Sequence, residues 1–155
     1  MVNRFEAPSD VLANTVKNHL GEDRSAVSRI GDRDAAIIPA IVIVDDDEAI
    51  RDSLKWLLES AGYEVSCFNS ARHFLDTIVE GRPACVVVDI DMPAMTGIEF
   101  VPLFRRRYLD VPVVFLTDDI EGRLARRAAA LEPAGLFAKP LDTHSLLSRI
   151  REVGG

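Results

Sequence analysis

The sequence predicts an α/β domain: one doubly wound, five-stranded parallel sheet with helices on both faces, preceded by an N-terminal extension. Three observations carry this. Short β-branched runs alternate with stretches of helical period over 40–155, the pattern of βαβ units and a parallel sheet. The runs Ile41-Val42-Ile43-Val44 and Cys85-Val86-Val87-Val88 are apolar without alternation, as strands covered on both faces are. The residues with chemistry to offer stand at the carboxyl ends of such runs, where open sheets of this class build their sites.

The elements follow in order. Ile41 to Val44 is the first strand. Glu48 to Ala61 carries Ile50, Leu54, Leu57, Leu58 and Ala61 at helical spacing, and Gly62 ends it. Glu64 to Phe68 is the second strand, and Ser70 caps a helix expected to run to about Val79. After the third strand, Ile98 to Arg107 is helical, Val113 to Leu116 is the fourth strand, and Ile120 to Leu131 is a helix rich in Ala and Arg. Leu136 to Ala138 makes a short fifth strand and Thr143 to Val153 the last helix. Residues 1–39 differ from this pattern. Ser9 or Asp10 can cap an amphipathic helix over about 9–20, with Val11, Leu12, Val16 and Leu20 on one side, and Glu22 to Asp34 reads as a polar linker. Such a lone helix is marginal in water and needs a surface to pack on.

Composition narrows the function. The chain has 155 residues, 48% of them hydrophobic, enough for one packed domain. The net charge of −7 lacks the basic footprint of a nucleic-acid binder. Arg105-Arg106-Arg107 and Arg123, Arg126 and Arg127 read most simply as solvated helix faces, with a dock for an acidic partner as the alternative. The longest apolar run, Ala35 to Val44, is about half what a membrane-spanning helix needs. The first residues lack an apolar signal region, so a cytoplasmic location without membrane insertion is expected. Cys67 and Cys85 have no CxxC spacing and suit buried, reduced thiols, and His19, His73 and His144 show no metal-ligand spacing. Trp56 lies off the apolar stripe of its helix, an exposed aromatic or a partner anchor.

The strand ends define the chemistry. The first closes on Asp45-Asp46-Asp47, the third on Asp89, the fourth on Thr117 and the fifth on Lys139-Pro140. Carboxylates gathered this closely repel, and joint ionisation is costly without a cation. Magnesium suits such a site, since it takes one or two carboxylates and keeps room for water and phosphate oxygens. An Asp carboxylate can then act as a nucleophile on phosphorus. The three equatorial oxygens of the transferring group would find a metal, a lysine ammonium, and a threonine hydroxyl or backbone N–H. Asp45, Asp46, Asp89, Thr117 and Lys139 form a sufficient set. Acids at strand ends can also simply cap the following helices, which accounts for Asp47 or Asp142 but not for Asp45, Asp46 and Asp89 together.

Four segments in order, Ile43-Val44-Asp45-Asp46, Val88-Asp89-Ile90-Asp91-Met92-Pro93-Ala94-Met95-Thr96-Gly97, Phe115-Leu116-Thr117 and Ala138-Lys139-Pro140, resemble the response-regulator receiver family of two-component signalling. The resemblance covers about Ala40 to Val153 and implies strand order 2-1-3-4-5. It further implies that Asp89 is the phosphoacceptor and that Asp45, Asp46 and Asp89, with the main-chain carbonyl of Asp91, hold Mg2+. Thr117 would bond the phosphoryl group, Lys139 would pair with it, and the bond to Pro140 would be cis. It implies a sensor histidine kinase or phosphotransfer protein as donor, with no enzymatic role beyond self-catalysed phosphotransfer and dephosphorylation. An unidentified protein would receive the output, and homodimerisation through the fourth helix, fifth strand and fifth helix is a further expectation. Since the chain ends after the fifth helix, a stand-alone receiver without a DNA-binding half is expected.

Some positions depart from the family pattern. Leu136 stands where a switching aromatic is usual, and neighbouring Phe137 should face the other side of the sheet. Asp118 replaces a small residue, and with Asp91 and Asp119 it makes the site mouth acidic, which should slow an anionic donor. Asp118 and Asp119 could instead cap the helix that follows. Two other functions are consistent with parts of the pattern. A degenerate receiver would bind a partner without phosphorylation. The segment Asp89-Ile90-Asp91 also resembles the DxD of haloacid-dehalogenase-like phosphatases, but those need acids downstream of the lysine, where only Asp142 and Glu152 follow.

Overall fold

A computed structural model of the chain describes residues 40–77 and 81–154. The helix expected over 9–20 and its linker lie outside the described residues, as do residues 78–80, at the end of the helix expected from Ser70 to about Val79. The five strands are β1 (Ala40–Val44), β2 (Glu64–Phe68), β3 (Cys85–Asp89), β4 (Val113–Thr117) and β5 (Gly135–Ala138). They form one parallel sheet in the order β2-β1-β3-β4-β5. The helices are α1 (Glu48–Ser60), α2 (Ala71–Leu75), α3 (Gly97–Arg107), α4 (Arg123–Ala129) and α5 (Thr143–Gly154).

The unbroken apolar runs are explained by two separate cores, one on each sheet face. Val42, Val44, Val86, Val88 and Phe115 point to one face and pack with Phe74, Phe100 and Phe104 from α2 and α3. Ile41, Ile43, Val87, Val114 and Leu116 point to the other and meet Leu54 and Leu58 of α1 and Leu146 and Ile150 of α5. Alternate residues of a strand face opposite ways, so a strand serving two cores must be apolar at every position. β5 obeys the same rule, with Leu136 against the first core and Phe137 against the second, as expected. On the first face Phe74 is fully buried and lies edge-on to Phe68 and Phe100, with centroids 5.1 and 5.7 Å away. Edge-to-face pairs add about 0.5–1.5 kcal/mol each beyond the area they bury.

The caps show why the helices start where they do. Asp47 accepts hydrogen bonds from the N–H groups of Ala49 and Ile50, and Asp142 from those of His144 and Ser145, so both serve as the helix caps anticipated for them. Thr96 and Glu99 form a reciprocal capping box on α3. Two helices are shorter than their sequence pattern suggests. α2 stops at Leu75, where the Thr77 hydroxyl donates back to the His73 carbonyl at 2.6 Å and its N–H to Phe74. α4 starts at Arg123, not Ile120, and its N-cap Gly122 offers no side-chain bond. Asp118 and Asp119 therefore do not cap it. Instead the Asp119 N–H donates to the Thr117 hydroxyl and the Asp119 carbonyl accepts from Gly122, which turns the chain before the helix can begin.

Cys67 and Cys85 lie on either side of β1, opposite Ile43 and Ile41, and both thiols are free. Cys85 is buried as expected, whereas Cys67 is only partly covered because β2 is an edge strand. Burial pushes the Cys85 thiol up to about 12 and the Cys67 thiol up to about 11, so neither is a reactive thiolate. Trp56 is 72% exposed, off the apolar stripe of α1. The arginine groups are not wholly solvated: Arg105 donates to the Leu131 and Glu132 carbonyls and Arg126 to the Glu121 carbonyl.

Truncating Phe74 to Ala is expected to cost about 3–5 kcal/mol in denaturant unfolding, since the aromatic cluster cannot collapse into the space. Trp56→Ala is expected to stay within about 0.5 kcal/mol of the parent.

Candidate functional site

The carboxyl edge of the sheet gathers the acids because β1 and β3 are hydrogen-bonded neighbours in matched register, Val44 opposite Val88. Asp45 and Asp89 consequently follow side by side at the strand ends. Both are buried, at 0% and 3% exposure, whereas Asp46 and Asp91 are exposed. One carboxylate oxygen from each of Asp45, Asp46 and Asp89 lies within 4.8 Å of the others.

Lys139 reaches this cluster from the far side of β4. Its N–H donates to the Thr117 carbonyl at 2.8 Å, which fixes the chain just beyond β5, and the Lys139–Pro140 bond is cis as expected. The ammonium stands 3.2 Å from Asp45 Oδ2 and 3.3 Å from Asp89 Oδ1. It is at ion-pair distance but off the line of a hydrogen bond, and both oxygens are buried without a hydrogen-bond partner. Asp45 Oδ1, by contrast, accepts from the Asp47 N–H at 2.9 Å.

The loop after Asp89 is drawn tight against the site. The Gly97 N–H donates to the Ile90 carbonyl, and a Cβ at Gly97 would stand 2.6 Å from the Asp89 carbonyl oxygen. Only glycine allows α3 to begin this close to the phosphoacceptor candidate. Ala94 turns at φ 69°, with Met95 N–H donating to the Pro93 carbonyl. A left-handed alanine beside a site is local strain held by its surroundings.

Charge balance follows from this geometry. Burial pushes the Asp89 carboxyl up to about 7, and neighbouring Asp45 pushes the same way against the pull of Lys139. Burial also raises Asp45, with the Asp47 N–H and Lys139 opposing. Burial alone would lower Lys139, but Asp45 and Asp89 outweigh it and raise it. One ammonium thus serves two buried acids, with a third carboxylate, Asp46, at the rim. The residues fit a hard divalent cation: three acidic oxygens converge, and two of the site's buried oxygens lack a partner.

Thr117 is 4% exposed at the end of β4, and its hydroxyl accepts from the Asp119 N–H at 3.0 Å. Asp118 and Asp119 are exposed on the loop that follows, at the rim. Leu136 is half-buried against the first core. Sequence reasoning missed Arg51, whose Nη1 donates to the Asp45 carbonyl at 2.8 Å. No motif marks it, although its place one turn into α1 puts it within reach of the end of β1.

A doubly wound α/β domain with an acidic pocket at its carboxyl edge is the architecture of signalling receiver domains. The chain belongs to the response regulator receiver domain family, whose sequence profile matches residues 41–151. It is 36% identical over 110 residues to the transcriptional regulatory protein FixJ of Bradyrhizobium diazoefficiens, spanning 71% of this chain and 54% of FixJ. To the response regulator MprA of Mycolicibacterium vanbaalenii it is 36% identical over 113 residues, 72% of this chain and 48% of MprA. The chain spans about half the length of these curated relatives. The chemotaxis protein CheY4 of Vibrio cholerae superposes with a TM-score of 0.69 at 29% identity, covering 76% of this chain and 99% of CheY4.

The raised Asp89 carboxyl makes stability depend on pH. A folded-state value of about 7 against an ordinary 3.8 gives a contribution that is fully present below 3.8 and lost as pH rises through about 7. With a chelator present, Asp89→Asn is expected to gain on the parent as pH rises from about 4 to about 8, reaching on the order of 2–4 kcal/mol. Urea unfolding at each pH checks this, and a variant no more stable than the parent at the alkaline end contradicts it.

Proposed function

We propose that this domain is a phosphoacceptor module that receives a phosphoryl group on Asp89 and signals through protein contacts. The single observation that carries this is the convergence of Asp45, Asp46 and Asp89 around the Lys139 ammonium, with buried, unpartnered oxygens on Asp45 and Asp89. The donor class is a sensor histidine kinase or a phosphotransfer protein, with small acyl phosphates as surrogates.

In the proposed reaction an Asp89 oxygen attacks phosphorus, a new P–O bond forms, and the bond from phosphorus to the donor nitrogen or oxygen breaks. The pair of electrons leaves with the donor. Asp45 and Asp46, with the Asp91 main-chain carbonyl, would hold Mg2+ beside Asp89. When bound, the ion would neutralise charge on the phosphoryl oxygens and the acid cluster. Lys139 already stands at ion-pair distance from Asp89 Oδ1 and is placed to take a phosphoryl oxygen. The Thr117 hydroxyl accepts from Asp119, so its own hydrogen stays available to donate to another.

Two features shape the output. The rim acids Asp118 and Asp119 add negative charge where an anionic donor arrives, favouring slow loading by small phosphates and faster loading by a docked protein. With Leu136 in place of an aromatic, the response to phosphorylation would run through the loop between Thr117 and α4, not a rotating ring. The net charge of −7 favours a protein partner over nucleic acid, and no helix among the described residues is long and apolar enough to cross a membrane. Homodimerisation through α4, β5 and α5 is a further proposal.

Incubation with Mg2+ and an acyl-phosphate donor or a kinase panel is expected to add one phosphoryl group to the parent and none to Asp89→Asn, read by intact mass. Mg2+ is expected to raise Tm in the parent and not in Asp46→Ala. Loss of both responses in the parent would make the domain a phosphorylation-independent binding module.

A further inference from the structure

Asp45 is tied down at nearly every polar atom. Its N–H donates to the Phe68 carbonyl at 3.1 Å, its Oδ1 accepts from the Asp47 N–H at 2.9 Å, and its carbonyl accepts from Arg51 Nη1 at 2.8 Å. Only Oδ2 is left without a hydrogen bond. Two of these anchors come from main-chain groups, those of Phe68 and Asp47. Arg51 is different: it is a side chain of α1 that reaches back to the strand before it.

The choice of acceptor matters. A guanidinium beside buried carboxylates would ordinarily make a bidentate pair with one of them. That would occupy the oxygens a cation needs. Arg51 bonds the main-chain carbonyl instead, which holds the acid in place and leaves its carboxylate uncovered. The Arg51 N–H makes the first helical bond of α1, to the Asp47 carbonyl at 3.0 Å, so the side chain that reaches Asp45 springs from a backbone already fixed to the same turn. Asp47 in turn caps α1 and supplies the N–H that orients Asp45 Oδ1.

We propose that Arg51 is a positioning residue for the cation site. It locks the Asp45–Asp47 turn so that the Asp45 carboxylate stays turned to those of Asp46 and Asp89. This rests on the metal-binding function proposed above. The sign of one measurement separates positioning from mere charge. A cation that acted only through its field would repel Mg2+, so its removal would tighten binding. A positioning group does the opposite, and outer-shell partners of metal ligands typically contribute at least about tenfold in affinity.

The test compares the parent, Arg51→Met and Arg51→Lys by Mg2+ titration calorimetry and by amide hydrogen exchange in the metal-free protein. Arg51→Met is expected to weaken Mg2+ binding about tenfold. Arg51→Lys, which keeps the charge and one fork of the donor set, is expected to fall between it and the parent. The Asp47 amide, bonded to Asp45 Oδ1, is expected to exchange at least several-fold faster in Arg51→Met, with β3 and β4 amides unchanged. Mg2+ affinity that is unchanged or tighter in Arg51→Met overturns the proposal. So does an Asp47 amide whose exchange does not change, a readout that holds even if the parent binds no Mg2+. Absence of binding in the parent refutes the metal site itself, which the exchange result then distinguishes from a failure of the Arg51 role.

Discussion

The structure depends on an electrostatic conflict built into one edge of the sheet. Adjacent parallel strands deliver Asp45 and Asp89 side by side into a buried place, with Asp46 at the rim and a single ammonium between them. Like charges in a low-dielectric setting repel strongly, and burial penalises each in turn. Left alone, the pocket favours a protonated Asp89, whose carboxyl burial and Asp45 push up to about 7. A divalent cation would resolve it differently, by neutralising the carboxylates together. The site is therefore poised to bind, and its poise is a property of geometry, not of any one residue.

Such a conflict persists only where the surroundings are rigid. Here rigidity comes from two cores that clamp the sheet from both sides, with fully buried Phe74 and Phe100 on one face and Leu58 and Leu146 on the other. The loops above the sheet are held just as firmly. Gly97 lets α3 start against the Asp89 backbone, Asp47 caps α1, and Arg51 pins the Asp45 carbonyl. The looser side is the loop after β4. There the Thr117 hydroxyl is engaged by Asp119, and α4 begins late on an uncapped Gly122. The Asp119 carboxylate lies over Gly122, where a Cβ would make this exposed side chain shift. A loop with few side-chain anchors and one bond to the Thr117 hydroxyl is suited to move if that hydroxyl takes another partner.

Much of this was legible in the sequence. Unbroken β-branched runs such as Val86-Val87-Val88 report two-sided burial directly, and an acid at the end of two such runs reports a shared edge. The opposite facing of Leu136 and Phe137 followed from strand period alone. What escaped was decided by contacts distant in sequence or by competing local bonds. The helical pattern from Ile120 to Leu131 is real, but the Thr117–Asp119 bond holds its first residues in a turn. Arg51 looks like any exposed helix arginine until the fold brings the Asp45 carbonyl within reach. Arg105 reads as part of a charge run, yet it fastens the end of α3 to the Leu131 carbonyl 26 residues away.

The central claim is that Asp89 sits in a pocket too acidic and too dry to ionise normally without a cation. Carbon-detected NMR titration of the Asp89 carboxyl, with and without Mg2+, measures this directly. The account predicts an apparent value near 7 in metal-free protein, falling well below that when Mg2+ is added. An Asp89 that titrates at its ordinary 3.8 in both conditions would contradict it.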